Sequence, residues 1–169
     1  MSEIKIPEVR VAILVGKKGE IKRRIESKTN TQLEISKEGD VTIEGESMNV
    51  YVAELIVKAI GRGFNPNIAL KLLNENNALD IIDIKENIGG SEKKFKRIKG
   101  RLIGTQGRAW KMLEKKTNTD VSIFGKTISI IGKIEDVDIA RRAFEKLLGG
   151  SPHGKVYKFI EMELKRRKQ

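Results

Sequence analysis

The sequence predicts an α+β protein built from two tandem copies of one small domain, each ordered strand, helix, helix, strand, strand, helix. Three observations carry that reading. The stretch EIKRRIESKTNTQLEI at Glu20–Ile35 returns as RAWKMLEKKTNTDVSI at Arg108–Ile123, at a constant offset of 88 residues. Each copy follows a four-residue loop bounded by glycines, Gly16-Lys17-Lys18-Gly19 and Gly104-Thr105-Gln106-Gly107. After one deletion in a loop the match continues at an offset of 87, pairing Val41 with Ile128, Gly45 with Gly132 and Ala53 with Ala140, so a whole domain is repeated. A period this long lies outside the ~20–50 residues of solenoid and propeller arrays, which leaves two globular copies.

Each element follows from its residue pattern. A short alternating stretch opens each copy as a strand, Glu3–Pro7 in the first and Leu79–Lys85 in the second. A helix comes next at Val9–Val15 or Glu92–Ile103; in the latter, Phe95, Ile98 and Leu102 share one face and the lysines and arginines take the other. The glycine loop interrupts, and a second helix runs to Lys28 or Lys116. Asn30 and Asn118 stand where that helix must stop, because asparagine tolerates the left-handed conformation that a helix end often requires. Two alternating strands follow, Gln32–Ser36 with Val41–Glu44 and Asp120–Phe124 with Thr127–Ile131, and a long amphipathic helix closes the copy at Ser47–Ile60 or Ile134–Leu148.

Between the copies, Asn65-Pro66-Asn67 opens a helix to about Asn76, whose apolar Ile68, Leu72 and Leu73 are expected to pack the two halves together. After Gly149-Gly150-Ser151-Pro152 the tail from Lys155 to Lys168 again reads helical, and its run Lys165-Arg166-Arg167-Lys168 reads first as a disordered end, ahead of a targeting address or an extra phosphate contact. The expected division is 1–63 for the first domain, 64–77 for the connecting helix, 78–150 for the second domain and 151–169 for the C-terminal helix and basic tail.

Composition narrows the function classes. No cysteine is present, so there is neither a disulfide framework nor a thiolate zinc site, and the lone His153 cannot build a histidine metal cluster. Neither a metal nor a cofactor is expected. No apolar run reaches the ~18–20 residues that span a bilayer, and the first ten residues lack the apolar core of a secretion signal, so a soluble, cytoplasmic protein without membrane partners is expected.

Charge gives the first positive clue. The chain carries 34 Lys and Arg against 23 Asp and Glu, a net +11 that favours polyanions. Residues 1–90 hold 13 basic and 14 acidic side chains, whereas residues 91–169 hold 21 basic and 9 acidic, so the whole excess lies in the second half. Ser91–Lys116 alone has ten basic residues, with Glu92 and Glu114 its only acids. A solvated helix face usually mixes both signs.

The glycine loops supply the chemistry. A glycine at each end lets the backbone turn sharply and removes the side chains that would hold another backbone away. The following helix begins there, so its unpaired amides and the positive end of its dipole point at whatever occupies the turn, and a phosphate fits. A single GxxG is often a mere turn. Two of them, at the same place in a repeated unit and followed by basic residues, are a much stronger signal.

This arrangement resembles the type I KH family, and the resemblance implies two KH domains, each a three-stranded antiparallel sheet packed on helices. Domains of this kind clamp about four nucleotides of single-stranded nucleic acid, with the loop on the backbone and an apolar groove receiving bases. Only 5% of residues are aromatic, and Phe124 is the single aromatic on the expected strands, which argues against binding by stacking on a sheet. Trp110, three residues past Gly107, could stack on a base or pack between the two halves.

The run from Gly132 to Tyr157, GKIEDVDIARRAFEKLLGGSPHGKVY, together with FNPNIALKLL and RIKGRLIGTQGR, resembles the archaeal members of the partner-of-Nob/Dim family of KH-domain ribosome-assembly proteins, over nearly the whole chain. That resemblance implies a single-stranded RNA-binding protein of small ribosomal subunit assembly. It implies binding near the 3′ end of small-subunit rRNA and, as partners, a maturation endonuclease or another assembly factor. Carried over by residue, the main RNA-binding site comprises Arg101, Ile103, Gly104, Thr105, Gln106, Gly107, Arg108, Lys111 and Lys115. A secondary site comprises Gly16, Lys17, Lys18, Gly19 and Lys22. Eukaryotic relatives have lost the first loop, whereas here it is intact.

Other readings weigh less. Gly149–Val156 has the glycine and lysine spacing of a phosphate-binding Walker loop, but Val156 stands where a hydroxyl must hold magnesium, and the segment follows an amphipathic helix. Asp80 and Asp83 point to opposite faces of a strand, and no nucleophile is assembled with a base, so an enzyme is not expected. The alternatives that remain are a protein-docking adaptor, or a KH protein whose ligand is messenger RNA or single-stranded DNA.

Overall fold

A computed structural model describes residues 1–169 apart from the side chain of Thr105. The first unit, Met1–Leu79, begins with β1 (Ser2–Lys5), a 3-10 turn at Glu8–Arg10 and α1 (Val11–Val15). Beyond the first glycine loop come α2 (Glu20–Thr29), β2 (Gln32–Ile35), β3 (Asp40–Glu44) and α3 (Ser47–Gly61). The sheet is ordered β1–β3–β2, and both outer strands run antiparallel to β3, with Ile4 opposite Val41 and Leu33 opposite Ile43. Alternation decides which face is buried: Leu33, Val41 and Ile43 join Leu14, Ile25, Ile56 and Ile60 in the core, while Glu3, Glu34 and Glu44 face water.

The connecting segment is shorter than its sequence pattern suggested. It forms α4 (Pro66–Ala69), opened by Asn65 accepting a hydrogen bond from the amide of Asn67, and a 3-10 turn at Leu70–Leu73. Its buried Ala69 and Leu72 pack with α3, so it belongs to the first unit.

The second unit, Asp80–Gln169, takes its first strand from β4 (Asn77–Asp83) and repeats the order with α6 (Glu92–Ile103), α7 (Arg108–Thr117), β5 (Asp120–Phe124), β6 (Thr127–Lys133) and α8 (Ile134–Leu148). Its sheet order, β4–β6–β5, is that of the first. Phe144, Leu102, Leu113, Ile82, Ile128 and Ile130 form the centre of its core.

Two features depart from the sequence pattern. The strand expected to reach Lys85 stops at Asp83, whose carboxylate accepts from the amide of Glu86 at 3.0 Å and starts a short helix, α5 (Ile84–Ile88). The basic end expected to be disordered is the last turn of α9 (His153–Arg167): Arg167 donates to the buried Asp136 at 2.7 Å, and Val156 and Ile160 are fully buried. No helix among the described residues is long and apolar enough to cross a membrane.

Much of the repeated phrase serves the fold. Asn30 (φ 54°, ψ 51°) and Asn118 (φ 55°, ψ 46°) both end their helices in the left-handed region. Thr29 and Thr31 share a buried hydroxyl contact at 2.7 Å, and Thr117 and Thr119 share its copy at 2.8 Å. The carboxylate of Glu26 accepts from the amide of Leu33 at 2.9 Å, and that of Glu114 accepts from Val121 at 2.7 Å, tying each helix to the strand after it.

Candidate nucleic-acid interface

The two glycine loops have one backbone. Gly16 (φ 76°, ψ 174°) and Gly104 (φ 69°, ψ −175°) lie in a region essentially closed to other residues. A Cβ on Gly16 would sit 2.8 Å from the amide nitrogen of Ile21, and one on Gly104 would sit 3.1 Å from that of Ala109. The third position is left-handed without glycine, Lys18 at φ 55° and Gln106 at φ 57°, and Gly19 and Gly107 close the turns at φ 76° and 73°. Neither α2 nor α7 has a side chain capping its N-terminus, so their first-turn amides and dipoles face the loop.

What lies over the closing glycine differs. In the first copy Arg23 folds back to donate to the carbonyl of Lys18 at 2.6 Å, and a Cβ on Gly19 would lie 2.9 Å from its guanidinium. In the second copy the indole of Trp110 takes that place: a Cβ on Gly107 would lie 2.7 Å from Nε1. Trp110 is half-buried against the core of its own unit and forms one wall of the loop.

The candidate residues divide by what holds them. Gly104, Gln106 and Gly107 form the loop, with Ile103 half-buried as the last residue of α6; the side chain of Thr105 lies outside the described residues. Arg108 opens α7, and Lys111 and Lys115 follow on its exposed surface, the Lys111 stem passing beside Gly107. Among the described residues no hydrogen bond or ion pair holds Arg108, Lys111 or Lys115. In the first copy Gly16, Lys17, Lys18 and Gly19 form the loop with both lysines exposed, and Lys22 is half-buried on α2.

Arg101 is held unlike the other candidate cations. Its guanidinium donates to the carbonyl of Leu147 at 3.0 Å and to that of Ser151, so it closes the C-terminal end of α8 instead of reaching outward. The first copy has the same clamp: Arg10 donates to Ile60 at 2.8 Å and Phe64 at 2.9 Å, the two acceptors that correspond to Leu147 and Ser151 at the offset of 87. The donor sits one helical turn earlier in the first copy, which hid the pair from residue-by-residue alignment. Burial pulls the Arg10 guanidinium below its ordinary value.

Of the ten basic residues in Ser91–Lys116, others are also in internal use. Lys94 donates to Ile88 at 3.0 Å, Lys99 to Gly125 at 2.8 Å, and Lys116 pairs with Glu161 at 3.1 Å. The Lys99 bond fastens α6 beside the β5–β6 turn. Lys93 and Arg97 are exposed on α6 with no hydrogen bond or ion pair among the described residues. Sequence reasoning left both out of the site. The start of the helix after each loop holds a second contrast it did not draw: Glu20 occupies in the first copy the position of Arg108, and is paired with Arg24 at 3.1 Å.

Family models match both units, and relatives match nearly the whole chain. Residues 78–165 match the eukaryotic-type KH domain (type I) of the second Pno1 domain, and residues 1–59 match the KH domain. The chain is 44% identical to a KH domain-containing protein of Methanocaldococcus jannaschii, over 98% of this chain and 75% of that protein. It is 32% identical to the pre-rRNA-processing protein pno1 of Aspergillus fumigatus over 69% of this chain, and spans about half (47%) of the length of that relative. The crystal structure of Dim2p from Pyrococcus horikoshii superposes with a TM-score of 0.88 at 41% identity, covering 95% of this chain and 98% of that one. A chain of the a/eIF2alpha–aDim2p–rRNA complex from the same organism superposes at 0.89 with 42% identity, covering 98% and 94%.

Proposed function

We propose, from the premise that this chain belongs to the KH-domain family and within it to the Pno1/Dim2p branch, that it is a single-stranded RNA-binding protein of small ribosomal subunit assembly. It acts as a binding protein and not as a catalyst. Its ligand is the 3′-terminal region of small-subunit rRNA, held mainly by the second glycine loop. The observation that carries this reading is the Gly104–Gly107 turn, which aims the uncapped start of α7 outward beside the exposed Arg108 and Lys111, neither of them paired among the described residues. A phosphodiester placed there meets backbone amides, a helix dipole and two free cations. That a similar chain was crystallised in a complex with rRNA supports the choice of ligand.

The reading is tested with purified protein and RNA oligonucleotides of equal length, one carrying the 3′-terminal sequence of small-subunit rRNA and the others scrambled. Preference for the terminal sequence at physiological salt is the expected result. Equal affinity for all would leave a generic polyanion binder.

A second reading concerns the first domain as a protein-docking surface. Glu3, Thr42 and Glu34 lie in one row across its sheet, with Glu44 beside them, an exposed acidic face that repels RNA. A translation-factor subunit of the kind present in the relative's complex, a maturation endonuclease or another assembly factor would bind there. Reversing Glu3 and Glu34 to lysine should abolish such binding while RNA affinity holds or rises.

A further inference from the structure

α3 has more apolar surface than the fold around it uses. Its only charged residues, Glu54 and Lys58, pair with each other at 2.7 Å. One face enters the core through Val50, Ala53, Ile56, Val57 and Ile60. The opposite face is apolar as well: Met48 is 75% exposed, Tyr51 is 59% exposed, and Val52 and Leu55 are half-buried beside them. These four stand at i, i+3, i+4 and i+7, which makes one stripe along the helix. A helix apolar on all sides is ordinarily buried on all sides.

The second copy shows what such a face carries. At the offset of 87, Met48, Asn49, Tyr51, Val52 and Leu55 match Glu135, Asp136, Asp138, Ile139 and Arg142 of α8. There α9 lies alongside: Arg142 pairs with Glu163 at 3.4 Å, Arg167 donates to Asp136 at 2.7 Å, and Glu135 and Asp138 line the cleft between the two helices. The first copy has only the beginning of that helix. α4 and the turn at Leu70–Leu73 match His153–Ile160, with Ala69 buried as Val156 is, and the chain then leaves for β4 at Asn77. The lane that the last turns of α9 fill beside α8 thus has no matching segment beside α3. Where α8 meets its helix with charge, α3 presents methionine, tyrosine and leucine.

We propose that the Met48–Leu55 face of α3 is the docking site for an amphipathic helix of another protein, lying beside α3 as α9 lies beside α8. Its apolar residues cover the stripe, in the manner of a helix laid into a groove by anchors one turn apart. The stripe is about 10 Å long, two turns of helix, and continues the line that α4 and its turn begin. Charge sets the direction of the incoming helix. In the second copy the basic end of α9, at Arg167, reaches the start of α8. At the start of α3 the exposed Glu44 and Glu46 call for a basic end in the same place, and they repel RNA and an anionic membrane. The site is distinct from the glycine loops and from the row of Glu3, Thr42 and Glu34 on the sheet, and it does not depend on the RNA-binding reading.

The test uses the full chain and a labelled synthetic helix of about four turns, with leucines at i, i+3, i+4 and i+7 and a Lys-Arg C-terminal end. Two control peptides replace the leucines with glutamine or the basic end with glutamate. The protein variant Met48→Glu/Tyr51→Asp/Leu55→Arg takes at each position the residue that α8 already carries, so its circular dichroism and its affinity for RNA should match wild type. Fluorescence anisotropy should show the basic leucine peptide binding wild type and binding the triple variant about tenfold more weakly or worse. The glutamine peptide should not bind, and the glutamate-ended one should bind about threefold more weakly at low salt. Failure of the basic leucine peptide to bind wild type, or equal binding by wild type and the triple variant, overturns the docking site and leaves the RNA reading untouched. Sedimentation should find wild type monomeric. A dimer that the triple variant dissolves would give the face to a second copy of the chain and overturn the partner helix.

Discussion

Lys18 and Gln106 stand in the same left-handed conformation at the same place in two copies of one turn, yet the residues that flank the two turns differ. Past the first turn the helix opens with Glu20; past the second it opens with Arg108. The helix leading into the first turn has five residues and no cation on its surface, and that leading into the second has twelve, with Lys93 and Arg97 exposed and, among the described residues, in no hydrogen bond or ion pair. The conformation of the glycine loop is thus set by the glycine pattern and the packing behind it. On the proposed reading, the strength of its grip on an anion is set by its flanks, which the fold leaves free to vary.

The comparison can be broken most forcefully at the first glycine of each loop. Gly16→Ala should destabilise the first unit by about 3 kcal/mol, because a Gly-only conformation and a clash with Ile21 add; Gly104→Ala should cost the second unit about 2 kcal/mol, its nearest contacts being looser. Thermal unfolding measures both, and equal costs would mean that the tighter seat of Gly16 is relieved elsewhere.

Next in size are the clamps. Arg101→Ala and Arg10→Ala should each cost about 2 kcal/mol by leaving carbonyls at the end of α8 or α3 without their donor. Arg101→Ala should leave the salt slope of RNA binding unchanged, whereas Arg108→Ala should lower it by about 0.7 with no loss of stability. A slope change in Arg101→Ala would return that residue to the RNA surface.

A charge swap sharpens the contrast more gently. Glu20→Arg gives the first copy the residue of the second and should raise RNA affinity about threefold, read by fluorescence anisotropy at low salt, where exposed charges act most strongly. No gain would show that the first loop is inert for reasons other than charge. The threonine pairs test the likeness of the two copies instead of their difference. Thr29→Val and Thr117→Val should each cost about 1 kcal/mol, by equal amounts, since the two hydroxyl contacts match within 0.1 Å in length, 2.7 and 2.8 Å.

The fold was legible because its repeat and its periodicities are local. Asn30 and Asn118 announced helix ends, the alternation of Val41 and Ile43 announced a core face, and the glycine pairs announced two turns. What stayed hidden depends on partners distant in sequence. Arg101 looks like any cation beside a phosphate loop until Leu147 and Ser151, some fifty residues on, prove to be its acceptors. The tail run looked disordered because nothing local holds it; Asp136, 31 residues earlier, does. The strand overran into α5 because alternation continues through Ile84, and only the capping geometry of Asp83 stops it. Glu26, Glu114 and the threonines, the most visibly repeated residues near the loops, turn out to join helix to strand.

The claim that the second loop is the main grip is tested most directly by placing one carboxylate at the third position of each loop. Gln106→Asp and Lys18→Asp put the same group at equivalent exposed sites, in a left-handed conformation that aspartate tolerates, so each unit should stay folded by circular dichroism. The first change alters local charge by one and the second by two, which biases the comparison against the account. The account predicts that Gln106→Asp weakens binding of the rRNA 3′-terminal oligonucleotide about tenfold or more and Lys18→Asp about twofold or less. A larger loss in Lys18→Asp would contradict it and transfer the grip to the first domain.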